Sequence, residues 1–61
     1  MSLDPNDFVA ALQDVSEEKL SKQIFVQPSI IAQWKKGEHL PHPMTRKNIL
    51  VLLEHHGEKF T

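Results

Sequence analysis

Three polar side chains, Ser29, Gln33 and Lys36, recur at spacings of four and three residues in the middle of the chain. At 100° per residue these spacings place them on one side of a helix, together with Ala32. A glutamine side chain can form two hydrogen bonds with adenine, serine can bond to either base edge, and a lysine at the helix end suits phosphate. This face therefore has the chemistry of a helix in the major groove of DNA. The more general interpretation is an amphipathic helix whose polar face meets water.

The residues give less support for metal binding or catalysis. Imidazole is a common zinc ligand, but His39 and His42 lie on either side of Pro41 in a loop, and His55 and His56 would point about 100° apart on a helix. Without cysteines or a carboxylate pattern, we expect no metal and no other cofactor. No serine has an evident base and orienting group, and a chain of 61 residues is too short for a sizeable pocket. We therefore expect neither an enzyme nor a small-molecule substrate.

Caps and prolines predict where the helices begin. Asp4 before Pro5 is typical of an N-cap and a first helical residue, and Leu3 and Phe8 have the spacing of a hydrophobic staple. We expect this first helix to end near Asp14.

The next two helices are predicted to form a helix-turn-helix unit over about residues 16–37. Ser16 is a suitable N-cap for the first of them, and the small Ser21 allows the two helices to approach closely. Pro28 marks the start of the second helix after Gln27, a poor cap, and Gly37 supplies the left-handed residue that commonly ends a helix. The opposite side of this helix carries apolar residues, among them Trp34, which we expect in the core.

A fourth helix is predicted to begin between Pro43 and Thr45 and to end at Gly57, followed by a short tail over residues 58–61. Its apolar residues are Ile49, Leu50, Val51, Leu52 and Leu53. These are more than one buried stripe requires, so they either contact a second subunit or complete the core with Phe60 folded back. The expected fold is all-α, a compact four- to five-helix bundle in a single domain over residues 1–61.

Charge is distributed unevenly along the chain, although the formal net charge is only −1. Residues 1–24 carry five carboxylates against two lysines, whereas residues 25–49 carry four basic side chains against one glutamate. This asymmetry fits one face turned towards phosphate, with modest non-specific affinity. No apolar run approaches the roughly 20 residues of a membrane span, and the N-terminus lacks signal-peptide features. We expect no membrane partner and a cytoplasmic location, in a bacterium or a phage-infected host cell.

The chain resembles the Cro and phage-repressor type of helix-turn-helix domain, also called lambda-repressor-like. The positions that match the family's pattern of leucine, small, apolar and glycine residues are Leu20, Ser21, Ile24, Val26, Ile31, Trp34 and Gly37. The run Gln33-Trp34-Lys35, with Gly37 and Pro41 beyond it, is also typical. The resemblance covers about Phe8 to Leu53, and its motif is moderately specific, because apolar positions recur in many helices while the joint spacing does not.

Two positions depart from the family pattern. Phe25 stands where the family usually has a turn glycine with positive φ, a conformation that costs other residues roughly 1 kcal/mol or more. Either its ring is buried and the strain is accepted, or the turn has a different shape. Glu17 stands where the family often has a glutamine that contacts phosphate, so that contact is not transferred to this chain.

The resemblance implies a set of contacts with duplex DNA. The implied base contacts come from Gln27, Pro28, Ser29, Ile30 and Gln33. The implied backbone contacts come from Lys35, Lys36, His39, Arg46 and Lys47. Family members usually act as dimers on two-fold related half-sites, so the expected partner is an operator with an inverted repeat, bound by a homodimer at least on DNA.

The expected function is sequence-specific regulation of transcription by operator occupancy, as in a small phage or bacterial repressor. One alternative is an excisionase or other architectural DNA-binding factor. Excisionases usually have a β-wing after the segment that corresponds to residues 37–41. An alternative of another class is a protein-interaction module, such as an antirepressor, that keeps the fold without binding DNA. The near-neutral charge, Phe25 and Glu17 favour this last alternative.

Overall fold

The computed structural model describes residues 4–61, which form four α-helices and a short 3-10 helix. In chain order the elements are α1 (Pro5–Leu12), α2 (Glu17–Ile24), α3 (Pro28–Lys35), α4 (Pro43–His56) and the 3-10 helix (Gly57–Phe60). Residues 4–61 contain no β-strand, which confirms the all-α prediction. None of the helices in this range is long and apolar enough to cross a membrane. The predicted staple partner Leu3 lies outside the described residues.

The predicted caps begin the first two helices. The Asp4 carboxylate accepts the amide hydrogen of Asn6 at 2.8 Å, and the Ser16 hydroxyl accepts that of Lys19 at 3.3 Å. Each bond satisfies one of the amides that a helix start leaves without a partner. Gln27 makes no side-chain cap bond, as predicted, and α3 depends on Pro28 for its start. The first helix ends at Leu12, two residues before the predicted Asp14.

The turn between α2 and α3 contains a left-handed phenylalanine. Phe25 has φ 59° and ψ 39°, and the amides of Phe25 and Val26 both donate to the carbonyl of Ser21. The positive φ expected at this position is therefore confirmed. The explanation by ring burial is wrong, because the side chain is 92% exposed. The strain of this conformation persists without compensation from packing of the ring.

Gly37 ends α3 as predicted. Its φ of 82° places it in the left-handed region, where glycine avoids the Cβ clash of other residues. Its amide donates to Trp34 O at 2.9 Å, and the amide of Glu38 donates to Gln33 O at 2.9 Å. This pair of bonds is a Schellman motif, and it satisfies the last carbonyls of the helix.

The core is a single apolar cluster to which every helix contributes. Its members are Phe8, Leu12, Val15, Leu20, Ile31, Trp34, Ile49 and Phe60. The rings of Phe8 and Trp34 pack in a tilted arrangement with centroids 5.8 Å apart. The indole nitrogen of Trp34 donates to His39 O at 3.0 Å, so its one polar group is satisfied. The prediction that Trp34 belongs to the core is confirmed.

The C-terminal segment is part of the core, and its prediction as a tail is wrong. α4 ends at His56 next to Gly57, as predicted, but Gly57 has φ −54° and continues the chain in a right-handed 3-10 turn. That turn buries Phe60, which is only 3% exposed, and the carbonyl of Phe60 accepts the amide hydrogen of Ser16. The structure therefore favours the alternative in which Phe60 folds back onto the core.

Candidate nucleic-acid interface

The outer face of α3 carries polar groups that the fold does not use. Gln27, Pro28 and Ser29 are exposed, whereas Ile30 and Gln33 are half-buried. Among residues 4–61, no hydrogen bond involves the side chain of Gln27, Ser29 or Gln33. These groups lie opposite the buried side of α3 and remain free to bond to another molecule.

The second helix, α2, holds α3 in position. α2 and α3 pack against each other, and they are joined by residues 25–27. Ser21, at 8% exposure, is the buried polar residue of α2. Its hydroxyl donates to Glu18 O at 2.7 Å, so it is buried without loss of a hydrogen bond.

The two adjacent lysines at the end of α3 have different surroundings. The ammonium group of Lys35 donates to Val15 O at 2.5 Å and lies 3.6 Å from the carboxylate of Glu17. Lys35 therefore connects α3 to the start of α2, and its charge is directed into the fold. Lys36 is exposed on the outer face of the same helix end. The pairing also gives Glu17 a partner within the fold.

The other residues predicted to contact the DNA backbone lie in the loop before α4 and in the first part of α4. Arg46 is half-buried, and its guanidinium donates to Pro41 O at 2.8 Å, so this side chain holds the proline segment in place. His39 is exposed in a left-handed conformation with φ 50°, and Lys47 is exposed on α4.

Few basic groups are available for a nucleic acid. Four of the seven Lys and Arg side chains have partners within the described residues. Lys19 bonds to Thr61 O, and Lys22 pairs with Glu18. The partners of Lys35 and Arg46 are those given above. The side chains of Lys36, Lys47 and Lys59 make no ion pair or hydrogen bond within this range. This surface therefore offers only weak electrostatic attraction to a polyanion.

Two other features bear on function. In the described part of the chain, no group of three or more His, Asp or Glu side chains is placed to hold a metal ion. An apolar cavity of about 340 Å³, which the sequence analysis did not foresee, opens between the α2–α3 turn and α4. Its lining residues are Ile24, Val26, Trp34, Thr45, Asn48, Ile49 and Leu52. The available sequence signal was Phe25, an aromatic residue at a turn position that favours glycine.

Comparison of the chain with protein-family models, with curated proteins and with solved structures finds no match.

Proposed function

We propose that this protein is a sequence-specific duplex DNA-binding regulator of the Cro and phage-repressor helix-turn-helix type. In this proposal α2 and α3 form the helix-turn-helix, and α3 lies in the major groove. The observation that carries the proposal is the outer face of α3, where Gln27, Ser29 and Gln33 keep their hydrogen-bonding groups free.

The base contacts follow from the position of each side chain on α3. Gln33 projects from the middle of the outer face and is the residue that pairs with adenine. Gln27 and Ser29, at the helix start, bond to flanking bases. Pro28 contributes apolar contact there, and the half-buried Ile30 contacts a thymine methyl group at the edge of the interface.

The phosphate contacts come from the exposed basic groups. Lys36 and Lys47 are free to neutralise phosphates, with His39 in the loop between them in the chain. Lys35 and Arg46 act within the fold, and we do not assign them to phosphate. With about two phosphates neutralised per copy and two copies on the operator, the logarithm of the binding constant of the pair should fall with a slope of about 4 against the logarithm of salt concentration.

The regulator acts by occupying an operator as a pair of copies on an inverted repeat. Such occupancy blocks polymerase or places the protein beside a neighbouring factor, and it requires no effector domain. Two-fold related copies would place their α3 helices in successive major grooves about one helical turn apart.

A binding-site selection from a random duplex pool at low salt tests the proposal. Low salt preserves the few phosphate contacts, and we expect enrichment of an inverted repeat. Gln33→Ala should then relax base preference at one position, with a loss of about 1–3 kcal/mol for the preferred base. Gln23→Ala, on the exposed surface of α2, is the matched control and should leave affinity unchanged.

A second comparison separates phosphate contacts from base contacts. Lys36→Ala should weaken binding to all sequences alike and reduce the salt slope by about 1 for each copy bound. Lys59→Ala removes the same charge from the 3-10 helix and should have little effect. If folded protein enriches no sequence at any salt concentration, DNA binding is refuted in favour of the protein-interaction module.

The exposed Phe25 and the small number of free cations are the observations that favour a protein-interaction module as the second candidate. The excisionase alternative has less support, because α4 (Pro43–His56) follows the proline segment where a β-wing would be expected.

A further inference from the structure

The cavity between the α2–α3 turn and α4 has exposed apolar neighbours. The exposed large hydrophobic residues among residues 4–61 are Phe25, Met44 and Val51, with exposures of 92%, 58% and 38%. Phe25 lies between two wall residues in the chain, and Met44 and Val51 each lie one helical turn from the wall residue Asn48. We call these three residues and the cavity of about 340 Å³ the turn patch.

The two segments that form the cavity wall contain basic residues and no carboxylate. Residues 19–37 and 39–53 supply every wall residue of the cavity. They contain six of the seven Lys and Arg residues of the chain and no Asp or Glu. The first turn of α4 also lacks an acidic residue, so the positive end of its dipole is not offset there. The surroundings of the apolar cavity therefore favour a negatively charged partner.

Lys47 is the free cation of the turn patch. It is exposed on α4, one helical turn from both Met44 and Val51. Its side chain makes no ion pair or hydrogen bond within residues 4–61. Glu54, the one carboxylate of α4, lies about two helical turns further along. A carboxylate of a partner can therefore pair with Lys47 without displacing a carboxylate of this chain.

These features restrict what can cover the turn patch. The cavity wall itself carries no charge, so a charged group inserted there would lose its hydration without gaining an ionic partner. A closed cavity of roughly 150 Å³ can take a benzene molecule, so this open cavity has room for a leucine or phenylalanine side chain. Lys47 then requires a carboxylate next to that side chain. A nucleic acid would satisfy Lys47 but leave the apolar wall in water.

We propose that the turn patch is a docking site for a short acidic segment of another protein. The segment inserts a bulky apolar side chain into the cavity and pairs a carboxylate with Lys47, as in other grooves that bind peptides through an apolar anchor. The proposal goes beyond DNA binding and does not rest on it, because docking is measured without DNA. Since Lys47 is also proposed to contact phosphate, the docked segment should compete with DNA.

A selection from a phage-displayed library of random peptides tests the proposal, with the folded protein as the target. Peptides of about 16 residues span roughly four helical turns. We expect enrichment of sequences that combine Leu or Phe with Asp or Glu at a spacing of three or four residues. Enriched peptides without tryptophan are then titrated into the protein, because Trp34 is its only tryptophan and lines the cavity. The emission of Trp34 should change, with a dissociation constant on the order of 100 µM or lower.

Matched variants locate the contact. Asn48→Asp keeps the side-chain shape but places a carboxylate at the cavity wall, and Lys47→Glu reverses the free charge. Each should weaken peptide binding about tenfold. Asn6→Asp on exposed α1 and Lys59→Glu on the 3-10 helix repeat these changes elsewhere and should bind like the wild type. A peptide with lysine in place of its acidic residue should bind Lys47→Glu more tightly than it binds the wild type.

Three results would overturn the proposal. Enrichment of no peptide, or of basic peptides, would show that the turn patch does not recognise an acidic segment. Acidic peptides that bind Asn48→Asp and Lys47→Glu as tightly as the wild type would place the contact elsewhere. Binding of vesicles of anionic phospholipid, but of no peptide, would assign the patch to a membrane surface. None of these results bears on the DNA proposal, which the separate selection of duplex sites tests.

Discussion

Lys35 and Lys36 show how two identical neighbours acquire different roles. Successive residues on a helix point about 100° apart. That rotation directs the ammonium of Lys35 to Val15 O and Glu17, whereas Lys36 faces solvent. The difference separates a residue that supports the fold from one that is available to phosphate.

Lys35→Met should lower the free energy of unfolding by about 1 kcal/mol, because it keeps the aliphatic stem but removes a charge-assisted hydrogen bond. The partly exposed ion pair with Glu17 adds little to this loss. Lys36→Met makes the same chemical change on the exposed surface and should stay within about 0.5 kcal/mol of the wild type. Urea denaturation followed by circular dichroism measures both values. Equal stabilities of the two variants would contradict the structural role assigned to Lys35.

At the scale of the helices, the sequence predicted the starts well and the segment after α4 poorly. Asp4, Ser16, Pro28 and Pro43 act within one turn of the chain, through a side-chain acceptor or a fixed φ, so their effects are local. Gly57 is different, because glycine permits several backbone conformations and only the burial of a distant side chain selects among them.

The candidate interface was also predicted only in part from the sequence. Periodicity placed Ser29, Gln33 and Lys36 on one face, since the face of a helix follows from its period. The engagement of Lys35 could not be predicted, because its partner Val15 O lies twenty residues earlier in the chain. The cavity between the α2–α3 turn and α4 also depends on the relative position of these elements, which no local pattern specifies.

The start of α4 has an uncommon cap, and this leads to a prediction about the whole helix. The Nδ1 atom of His42 accepts the amide hydrogen of Met44 at 3.1 Å. His42→Ala should lower the free energy of unfolding by about 0.5–1 kcal/mol. His42→Asp keeps an acceptor and adds a negative charge where the helix dipole favours it, so it should match or exceed the wild type.

Thermal unfolding measures the effect of these caps. We expect the Ala variant to melt a few degrees lower than the wild type. His55→Ala, an equally exposed histidine at the other end of α4, is the control and should change the melting temperature less. A melting temperature for His42→Asp below that of His42→Ala would refute the capping role.

For the molecule as a whole, the 3-10 helix closes the core against α2. Phe60 is buried, its carbonyl accepts the amide hydrogen of Ser16, and Lys19 donates to Thr61 O at 2.9 Å. Because the chain has no cysteine, no disulfide can contribute to its stability. A domain of this size has few apolar residues to bury, so each one carries a large share of the total.

Phe60→Ala should therefore lower the free energy of unfolding by a large share of its total. A buried Phe→Ala change costs about 3–5 kcal/mol, whereas a chain of this length has a total stability of about 3–9 kcal/mol at 0.05–0.15 kcal/mol per residue. We expect a large unfolded fraction by far-ultraviolet circular dichroism at 25 °C and a much lower urea midpoint. Phe60→Leu keeps most of the apolar volume and should fold, and Glu58→Ala in the same segment should resemble the wild type. A Phe60→Ala variant with the wild-type midpoint would show that the core closes without this segment.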